Sequence, residues 1–519
     1  MAISRPLVLL FCFALVGWAS ASSSADQEAA RDTCSALVGA DVLSDVRIVS
    51  AELVPAGVDG PAHCAVSGVI ETEIKFEVLL PDAWNGRFMM GGGGGFVGTV
   101  QNQALNSARA GGMNGHALER GYATAGTDTG HQGTGIEGAW ALNDPERQQN
   151  YGYRAVHLTV VAAKAIIREY YDQDSDYSYF LGCSNGGRQA MMESQRYPDD
   201  FDGIVAGAPA FNWTGTAAGF VRNQQAIFPD GDLAAPVLTP AALSLVSAAI
   251  DDSCDLLDGV DDGILADPRE CGFNADSLPQ CIAGSRQADC LTAAQLTAIK
   301  TIWEGPVLDG RRLFAGFPFG GEDEPGWAGW VVESEQNRAR GVPNAQYAFG
   351  TEIAKYFVFS DPLWDYTRYD LAMWPDDTAQ AGAVLNATDT DLTAYRDAGG
   401  KIIYWTGWSD PALSALGLIS YYETLREEDS TVQEYARLFA LPGVLHCGDG
   451  PGPDRVDWID AISSWVEEDD APDRLVSAKV DEGNAVAITR PVCPYPMVAT
   501  YTGSGSTAAE ENFVCEVPD

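Results

Sequence analysis

Short apolar runs alternate along most of the chain with longer stretches in which apolar residues recur every three or four positions. The short runs, bounded by glycine, proline or polar residues, predict buried strands. These are Phe76–Leu80, Arg87–Met90, Tyr122–Gly126, Ser178–Gly182, Gly203–Ala206, Lys401–Thr406 and Ala436–Leu441. The longer stretches predict helices at Arg154–Tyr170, Gly187–Arg196, Ala412–Leu425 and Asp454–Glu467. This alternation indicates an α/β fold with a mostly parallel sheet and crossover helices.

The segment from Pro209 to Pro375 interrupts that pattern. It is rich in glycine and proline and contains four cysteines and six tryptophans. We therefore expect a large insertion between strands of the core. The predicted organisation is a catalytic domain formed by residues 22–208 and 376–519, with a lid domain at residues 209–375.

The N-terminus has the pattern of a secretory signal at residues 1–21. Arg5 precedes the apolar run Pro6–Val16, and Ala19–Ala21 matches an A-x-A cleavage site. The alternative is a transmembrane anchor, but the run is shorter than the roughly 20 residues needed to span a bilayer. We expect a secreted or periplasmic protein with no membrane contact after cleavage.

Charge narrows the range of partners. The chain has 73 acidic and 31 basic residues and a formal net charge of −42. Such a surface argues against nucleic acid and anionic membranes as partners.

Eleven cysteines are present, and Cys12 lies inside the signal. The remaining even number predicts a disulfide framework in an exported protein. The simplest pairing joins neighbours in sequence, although the connectivity does not follow from sequence alone. It gives Cys34–Cys64, Cys254–Cys271, Cys281–Cys290 and Cys493–Cys515, which leaves Cys183 with Cys447.

The first candidate catalytic residue is Ser184, at the centre of the G-x-S-x-G pattern Gly182–Gly186. A predicted strand runs into this pattern and a predicted helix runs out of it. That context is typical of a nucleophile elbow, in which a sharp turn exposes the serine.

The base and the acid follow from chain order, because α/β-hydrolases place the acid and then the histidine after the serine. Of five histidines only His446 comes after Ser184. Asp410 lies in the loop after the strand Lys401–Thr406 and is the best candidate to orient the imidazole. Its rivals are Asp370, Asp391 and Asp449.

Cys183 and Cys447 are the direct neighbours of Ser184 and His446. A nucleophile and its base lie within hydrogen-bonding distance of each other, so a disulfide between these two cysteines is geometrically plausible.

Five consecutive glycines, Gly91–Gly95, follow the strand Arg87–Met90. Such a loop lets backbone N–H groups approach a developing oxyanion, and the candidate donors are Gly94, Gly95 and Asn185. A competing interpretation is the dinucleotide fingerprint that Gly93, Gly95 and Gly98 formally match. A glycine run satisfies many patterns, so the match is weak.

At these residues the chain resembles the tannase and feruloyl esterase family over nearly its whole mature length. The motifs that carry the resemblance are Leu80–Phe88, Thr127–His131, Gly182–Gly187, Leu385–Asp389 and Gly448–Asp454. The resemblance implies an α/β-hydrolase core with an inserted lid, the triad Ser184, Asp410 and His446, and a disulfide between the neighbours of nucleophile and base. Two departures, Thr406 and Asp449, lie outside the triad.

The resemblance also implies a structural calcium ion in the lid, and no organic cofactor. The segment between Cys254 and Cys271 has alternating carboxylates, which are the hard oxygen ligands that calcium prefers. The implied ligands are the side chains of Asp255, Asp258 and Asp262 with the carbonyl groups of Val260 and Ile264. The alternative is a plain acidic turn.

The family implies esters of phenolic acids, such as feruloyl or galloyl esters, with mono(2-hydroxyethyl) terephthalate as the alternative substrate. A different class of function would be a secreted binding protein with an inactive site. An aromatic substrate ring could pack on lid side chains, and Arg338 or Arg340 could pair with a substrate carboxylate. The aromatic candidates are Trp327, Trp330, Tyr347, Phe349 and Phe357.

Overall fold

The computed structural model describes residues 32–57, 60–282, 289–323 and 325–518. The predicted signal at residues 1–21 lies outside the described residues. The strands are β1 (Val46–Val54), β2 (His63–Ile70), β3 (Ile74–Pro81), β4 (Arg87–Gly91), β5 (Ala123–Thr127), β6 (Tyr177–Cys183), β7 (Gly203–Gly207), β8 (Val307–Leu308), β9 (Arg311–Arg312), β10 (Lys401–Gly407), β11 (Ala436–Leu441), β12 (Leu475–Val480), β13 (Val486–Val492), β14 (Val498–Tyr501) and β15 (Phe513–Glu516).

The longer helices are Ala155–Tyr171, Asn185–Arg196, Trp213–Ile227, Pro240–Cys254, Ala293–Glu304, Ala345–Ile353, Ala379–Leu385, Ala415–Glu428 and Trp458–Glu468. Shorter ones lie at Ser107–Ala110, Pro145–Gln149, Glu335–Ala339, Trp374–Asp377 and Thr393–Asp397. None of the described helices is long and apolar enough to cross a membrane.

Nine strands form one sheet in the order β1-β2-β3-β5-β4-β6-β7-β10-β11. From β5 to β11 the neighbouring strands are parallel, whereas β1, β2 and β3 form an antiparallel edge. All seven predicted strands lie in this sheet. The α/β fold class is therefore confirmed.

Side chains of β10 show why the sheet is covered on both faces. Ile402 and Tyr404 join the apolar cluster that contains the helices Ala155–Tyr171 and Ala415–Glu428. Trp405 points to the opposite face and stacks on Trp458 with ring centroids 5.5 Å apart. Successive strand residues alternate between faces, so both faces need an apolar cover.

Between β7 and β10 the chain forms helices with an apolar cluster of their own. This cluster includes buried residues of Trp213–Ile227, Pro240–Cys254, Ala293–Glu304 and Ala345–Ile353. The helices occupy the predicted insertion. The exact limits at residues 209 and 375 stay a prediction.

Five disulfides are present among the described residues, and all five match the simplest pairing. They are Cys34–Cys64, Cys183–Cys447, Cys254–Cys271, Cys281–Cys290 and Cys493–Cys515.

Candidate active site

Ser184 lies on a sharp turn between β6 and the helix Asn185–Arg196, with φ 65° and ψ −125°. A positive φ is rare for a residue with a side chain and needs support from its surroundings. Here Ser184 N donates to Gly207 O at 3.0 Å, and Ser184 O accepts from Ala210 N at 3.0 Å. A Cβ at Gly182 would lie 2.4 Å from the carbonyl oxygen of Gly186, so this turn requires glycine. The pattern therefore forms the predicted elbow.

The three candidate catalytic side chains form a continuous hydrogen-bonded chain. His446 Nε2 lies 2.9 Å from Ser184 Oγ, and His446 Nδ1 lies 2.8 Å from Asp410 Oδ2. The other oxygen of Asp410 accepts from the backbone N–H groups of Ala412 at 2.8 Å and Leu413 at 2.9 Å. Since the Asp410 side chain is fully buried, these bonds fix the carboxylate against the imidazole.

The rival aspartates have other contacts. Asp370 and Asp391 each accept a backbone N–H two residues further on, and both bonds are exposed. Asp449 has φ 64°, and its N–H donates to Asp454 Oδ2 at 2.8 Å. Of these four aspartates, Asp410 is the one whose carboxylate is hydrogen-bonded to His446.

Sheet topology explains how residues so far apart in sequence meet. Ser184 directly follows β6, Asp410 follows β10, and His446 follows β11. These strands are parallel, so their carboxyl ends lie at the same edge of the sheet. Trp330 of the insertion adds a ring whose centroid is 5.1 Å from that of His446, in an edge-to-face arrangement.

The disulfide between Cys183 and Cys447 joins the neighbours of Ser184 and His446, with 5.9 Å between the two Cα atoms. A second contact fixes the same backbone. Gln103 Oε1 accepts from Cys183 N at 2.8 Å, and Gln103 Nε2 donates to Cys183 O at 3.2 Å. No motif in the sequence marked Gln103, because its contact depends on tertiary folding.

The two candidate amides of the glycine loop, those of Gly94 and Gly95, differ in their contacts. Gly94 N donates to Gln101 Oε1 at 2.8 Å, so this amide already has an acceptor. Gly95 has φ 56°, and a Cβ there would lie 2.3 Å from Gly135 O, so glycine is required. The amides of Gly95 and Asn185 therefore remain the candidate pair of oxyanion donors.

The structure around the glycine loop does not match a dinucleotide-binding site. That fingerprint requires a helix that opens at the glycines and binds pyrophosphate at its N-terminus. The loop after β4 instead leads into a single 3₁₀ turn at Gln103–Leu105.

A buried polar network connects the glycine loop to the elbow helix. The Tyr151 hydroxyl lies 2.9 Å from Gly95 O and 2.9 Å from Asn185 Oδ1, and it accepts from Trp213 Nε1 at 3.1 Å. Arg188 Nε donates to Asn185 Oδ1 at 2.8 Å. Burial raises the pKa of Tyr151 to about 12, so its hydroxyl stays protonated. Sequence analysis missed Tyr151 and Arg188.

The site opens into a cleft of about 1320 Å³. Ser184 and His446 line it together with Trp330 and Phe349 from the insertion. The rings of Trp330 and Phe349 are stacked, with centroids 5.8 Å apart and planes 13° apart. The cleft thus offers a flat apolar wall beside the serine.

The other aromatic candidates pack elsewhere. Trp327 is buried in the cluster of the insertion, Phe357 stacks on Phe96 at 5.8 Å, and Tyr347 contacts the edge of Tyr366 at 5.7 Å.

Of the two candidate arginines, Arg340 lines the cleft, and so does Arg109, which sequence analysis had not singled out. Arg338 is exposed and pairs with Glu333 at 2.6 Å.

The acidic turn holds its three carboxylates close to backbone amides. Asp255 accepts from Gly263 N at 2.9 Å, and Asp258 accepts from Val260 N at 2.9 Å. Asp262 pairs with Arg490 at 3.0 Å. Burial raises the pKa of Asp258 to about 6, and the negative charges of Asp262 and Asp255 add to the rise. These oxygen donors with excess negative charge fit a hard cation such as calcium.

A mostly parallel sheet with a serine on a strand–helix elbow, followed by an aspartate and a histidine on loops after later strands, defines an α/β-hydrolase. The sequence model described as "Tannase and feruloyl esterase" matches residues 60–516. The chain belongs to the tannase and feruloyl esterase family and is a carboxylic ester hydrolase.

Individual relatives agree with this assignment. The chain is 35% identical to mono(2-hydroxyethyl) terephthalate hydrolase of Piscinibacter sakaiensis, over 88% of this chain and 85% of the relative. It is 30% identical to feruloyl esterase B of Aspergillus niger, over 85% of this chain and 83% of the relative. The solved structure of feruloyl esterase B from Aspergillus oryzae superposes with a TM-score of 0.82 at 27% identity, covering 94% of this chain and 100% of that one.

Proposed function

We propose that this enzyme hydrolyses esters of aromatic carboxylic acids of the phenolic type through an acyl-enzyme on Ser184. The observation that carries the proposal is the chain of hydrogen bonds from Ser184 Oγ through His446 to Asp410, at 2.9 and 2.8 Å. Ser184 and His446 line a cleft that has an aromatic wall.

The reaction proceeds in two halves. Ser184 Oγ attacks the ester carbonyl carbon while His446 Nε2 takes the hydroxyl proton, and Asp410 stabilises the imidazolium. The N–H groups of Asn185 and Gly95 hold the oxyanion. When the bond to the alcohol oxygen breaks, His446 gives the proton to that oxygen. Water then attacks the acyl carbon, His446 takes one of its protons and returns it to Ser184 Oγ, and the acid leaves.

The aromatic wall supports the substrate class. Trp330 and Phe349 present stacked rings beside Ser184, and a planar phenolic ring buries its face well against such a surface. The relatives named feruloyl esterase point to the same class.

Mono(2-hydroxyethyl) terephthalate is the second candidate substrate, because a relative of that name is 35% identical and because this ester has a free carboxylate. Arg109 and Arg340 line the cleft and are suited to pair with that carboxylate. A feruloyl ester has no such group, so the two substrates differ in their need for arginine.

The test is a panel of methyl ferulate, methyl gallate and mono(2-hydroxyethyl) terephthalate, assayed with the wild type and with Ser184→Ala. We expect Ser184→Ala to lose activity by about 10⁴-fold or more on every ester. An inactive binding protein would give no burst of nitrophenol from p-nitrophenyl acetate with the wild type.

Arg340→Ala separates the two substrates, with Arg338→Ala as the control outside the cleft. We expect Arg340→Ala to leave KM for methyl ferulate unchanged. A higher kcat/KM on the terephthalate ester than on both phenolic esters, lost in Arg340→Ala, would assign the second candidate substrate instead.

We further propose that residues 209–375 act as the lid and that Asp255, Asp258 and Asp262, with the carbonyl groups of Val260 and Ile264, hold a structural calcium ion. The ion would balance three carboxylates that one arginine partly neutralises. A chelator should lower the melting temperature, and added calcium should restore it. Asp258→Asn should abolish that response; an unchanged response would refute the site.

Finally, we propose that the enzyme is exported after removal of residues 1–21. Five disulfides support an oxidising compartment. The N-terminal sequence of the protein recovered from outside the cytoplasm should begin near Ser22; an intact Met1 would contradict the proposal.

A further inference from the structure

A second cluster of ionisable side chains lies on the helical face of the sheet, outside the candidate active site. His157 comes from the helix Ala155–Tyr171, Glu193 from the helix Asn185–Arg196, and Asp200 from the loop before β7. One ligand atom of each lies within 4.8 Å of those of the other two. Glu193 is nine residues beyond Ser184, which is about 13 Å along a helix. The cluster is therefore separate from the triad.

Glu193 is the unusual member of the cluster. Its side chain is buried, with 1% of the residue exposed, and its carboxyl group shares a hydrogen bond with the carboxyl group of Asp200. Two neighbouring carboxyl groups do not both ionise readily when one of them is buried, so one proton is held between them. Burial, followed by the negative charge of Asp200, raises the pKa of Glu193 well above its usual range.

The other two side chains are already held in place. His157 stacks on Tyr197, with ring centroids 3.9 Å apart and planes 6° apart. Its Nδ1 lies 2.7 Å from Asp200 Oδ2. The cluster is reachable from solvent, because the His157 side chain is 29% exposed and that of Asp200 is 13% exposed.

The surrounding charges leave the cluster with excess negative charge. Lys164 Nζ donates to the backbone oxygen of Asp200 at 2.6 Å, and Glu193, Asp200, Asp199 and Asp202 all act on this lysine. One ammonium therefore faces four carboxyl groups.

We propose that His157, Glu193 and Asp200 bind a divalent transition-metal ion, with Zn²⁺ as the ion that fits best. One imidazole nitrogen and two carboxylate oxygens are zinc ligands, and water can supply the fourth, because the His157 side chain is partly exposed. The imidazole argues against magnesium and calcium, which prefer oxygen ligands alone.

Metal binding requires the ligand atoms to shift, because the Glu193 oxygen lies within 4.8 Å of the other two and must approach them by up to about 1.5 Å. Ligand atoms at about 2.0–2.1 Å from a tetrahedral zinc ion lie about 3.3 Å apart. His157 Nδ1 and Asp200 Oδ2 must therefore separate by roughly half an ångström, while the Glu193 carboxyl loses its proton. The ion would join two helices to the loop that leads into β7, and its role is to stabilise this face of the fold.

The test measures zinc uptake by elemental analysis and the melting temperature, after dialysis against micromolar Zn²⁺ with millimolar Ca²⁺ to occupy the acidic turn. We expect wild type to bind one Zn²⁺ more per chain than Glu193→Gln or His157→Gln. We also expect Zn²⁺ to raise the melting temperature of wild type by about 3 °C, and that of the two variants by much less.

His116→Gln is the matched control, because His116 pairs with Glu119 at 3.7 Å without a third ligand. It should bind zinc as wild type does. Glu193→Gln keeps the shape of the side chain, so it should fold without metal. Equal zinc uptake by wild type and both cluster variants would overturn the proposal, and so would the lack of any shift in melting temperature with zinc.

Discussion

At the scale of single residues, Asp410 shows how a carboxylate can be fixed by its own loop. One oxygen accepts two backbone N–H groups, from Ala412 and Leu413, and the other faces His446. Because the first oxygen is fully used, the carboxylate cannot rotate away from the imidazole. Its position after a predicted strand allowed Asp410 to be predicted from the sequence, whereas its two hydrogen bonds to backbone N–H groups could not be predicted.

Replacing Asp410 with asparagine tests this arrangement. The amide should keep the loop bonds through its oxygen but present N–H to His446, which favours the wrong tautomer. We expect kcat to fall by about 10³–10⁴-fold with little change in KM. Asp391→Asn, at an exposed rival position, should retain normal rates. Steady-state kinetics on methyl ferulate measures both, and near-normal turnover by Asp410→Asn would remove this residue from the triad.

Glu322 predicts a dependence of stability on pH. It is fully buried, accepts from Trp303 Nε1 and Gly320 N at 2.9 Å each, and burial raises its pKa from 4.5 to about 7. The folded state thus holds a proton that the unfolded state releases above pH 4.5. The contribution to stability is complete below about 4.5 and is lost as the pH rises through 7.

Urea unfolding at a series of pH values measures this effect. As the pH rises past 7, we expect Glu322 to lower the free energy of unfolding by about 3 kcal/mol relative to acidic pH. Glu322→Gln should remove this part of the pH dependence of the free energy of unfolding, whatever the absolute stability of the variant. Parallel pH profiles for the two proteins would show that Glu322 does not titrate in this range.

At the scale of elements, strands buried on both faces were the easiest to predict, because they are continuous apolar runs. The antiparallel strands β1 and β2 were missed because both mix polar with apolar residues: β1 exposes part of its length, and β2 alternates buried with half-buried positions. The hairpins β12–β13 and β14–β15 were missed for the same reason.

The candidate triad could be predicted because each member has a local signal and chain order selects among candidates, and the structure brings the three side chains into hydrogen-bonding contact. Gln103, Tyr151 and Arg188 have no such signal, because they matter only through contacts between elements that are distant in sequence. The position of the glycine loop against the elbow helix could therefore not be read from the sequence.

Tyr151→Phe tests whether that contact positions the oxyanion loop. The change removes the bonds to Gly95 and Asn185 and leaves Trp213 Nε1 without its acceptor, which should cost about 1–3 kcal/mol of stability. We expect kcat to fall roughly tenfold with KM nearly unchanged, since the loop acts on the transition state.

Tyr422→Phe is the matched control for Tyr151→Phe. It also removes a buried hydroxyl, which donates to Ala436 O at 2.9 Å away from the site. A similar loss of kcat in both variants would indicate general destabilisation rather than positioning.

At the scale of the whole molecule, Cys183 and Cys447 close a loop of 264 residues that includes the entire insertion. The bond ties the end of β6 to the loop after β11, and these are the two places that carry the candidate nucleophile and base. Long-range cross-links restrict the unfolded chain most, by about 5–6 kcal/mol in the chain-entropy description.

Cys183→Ala with Cys447→Ala should therefore lower the melting temperature and also reduce kcat/KM by tenfold or more, because the His446 loop loses its anchor. The control is Cys493→Ala with Cys515→Ala, which removes the C-terminal disulfide. That variant should lose stability but keep kcat/KM near normal when assayed well below its melting temperature. Full activity without the Cys183–Cys447 bond would limit this disulfide to a stabilising role.

The contact between Trp330 and His446 joins two parts of the chain, the core that carries the candidate catalytic residues and the insertion that lines the cleft. The loops after the core strands carry the candidate nucleophile, base and acid, whereas the inserted segment places the ring of Trp330 against His446 and lines the cleft. We therefore expect that exchanging the segment around Trp330 changes the ester preference while the candidate catalytic residues stay in place. A library of variants at residues 327–342 is a suitable first experiment for changing which ester the enzyme prefers.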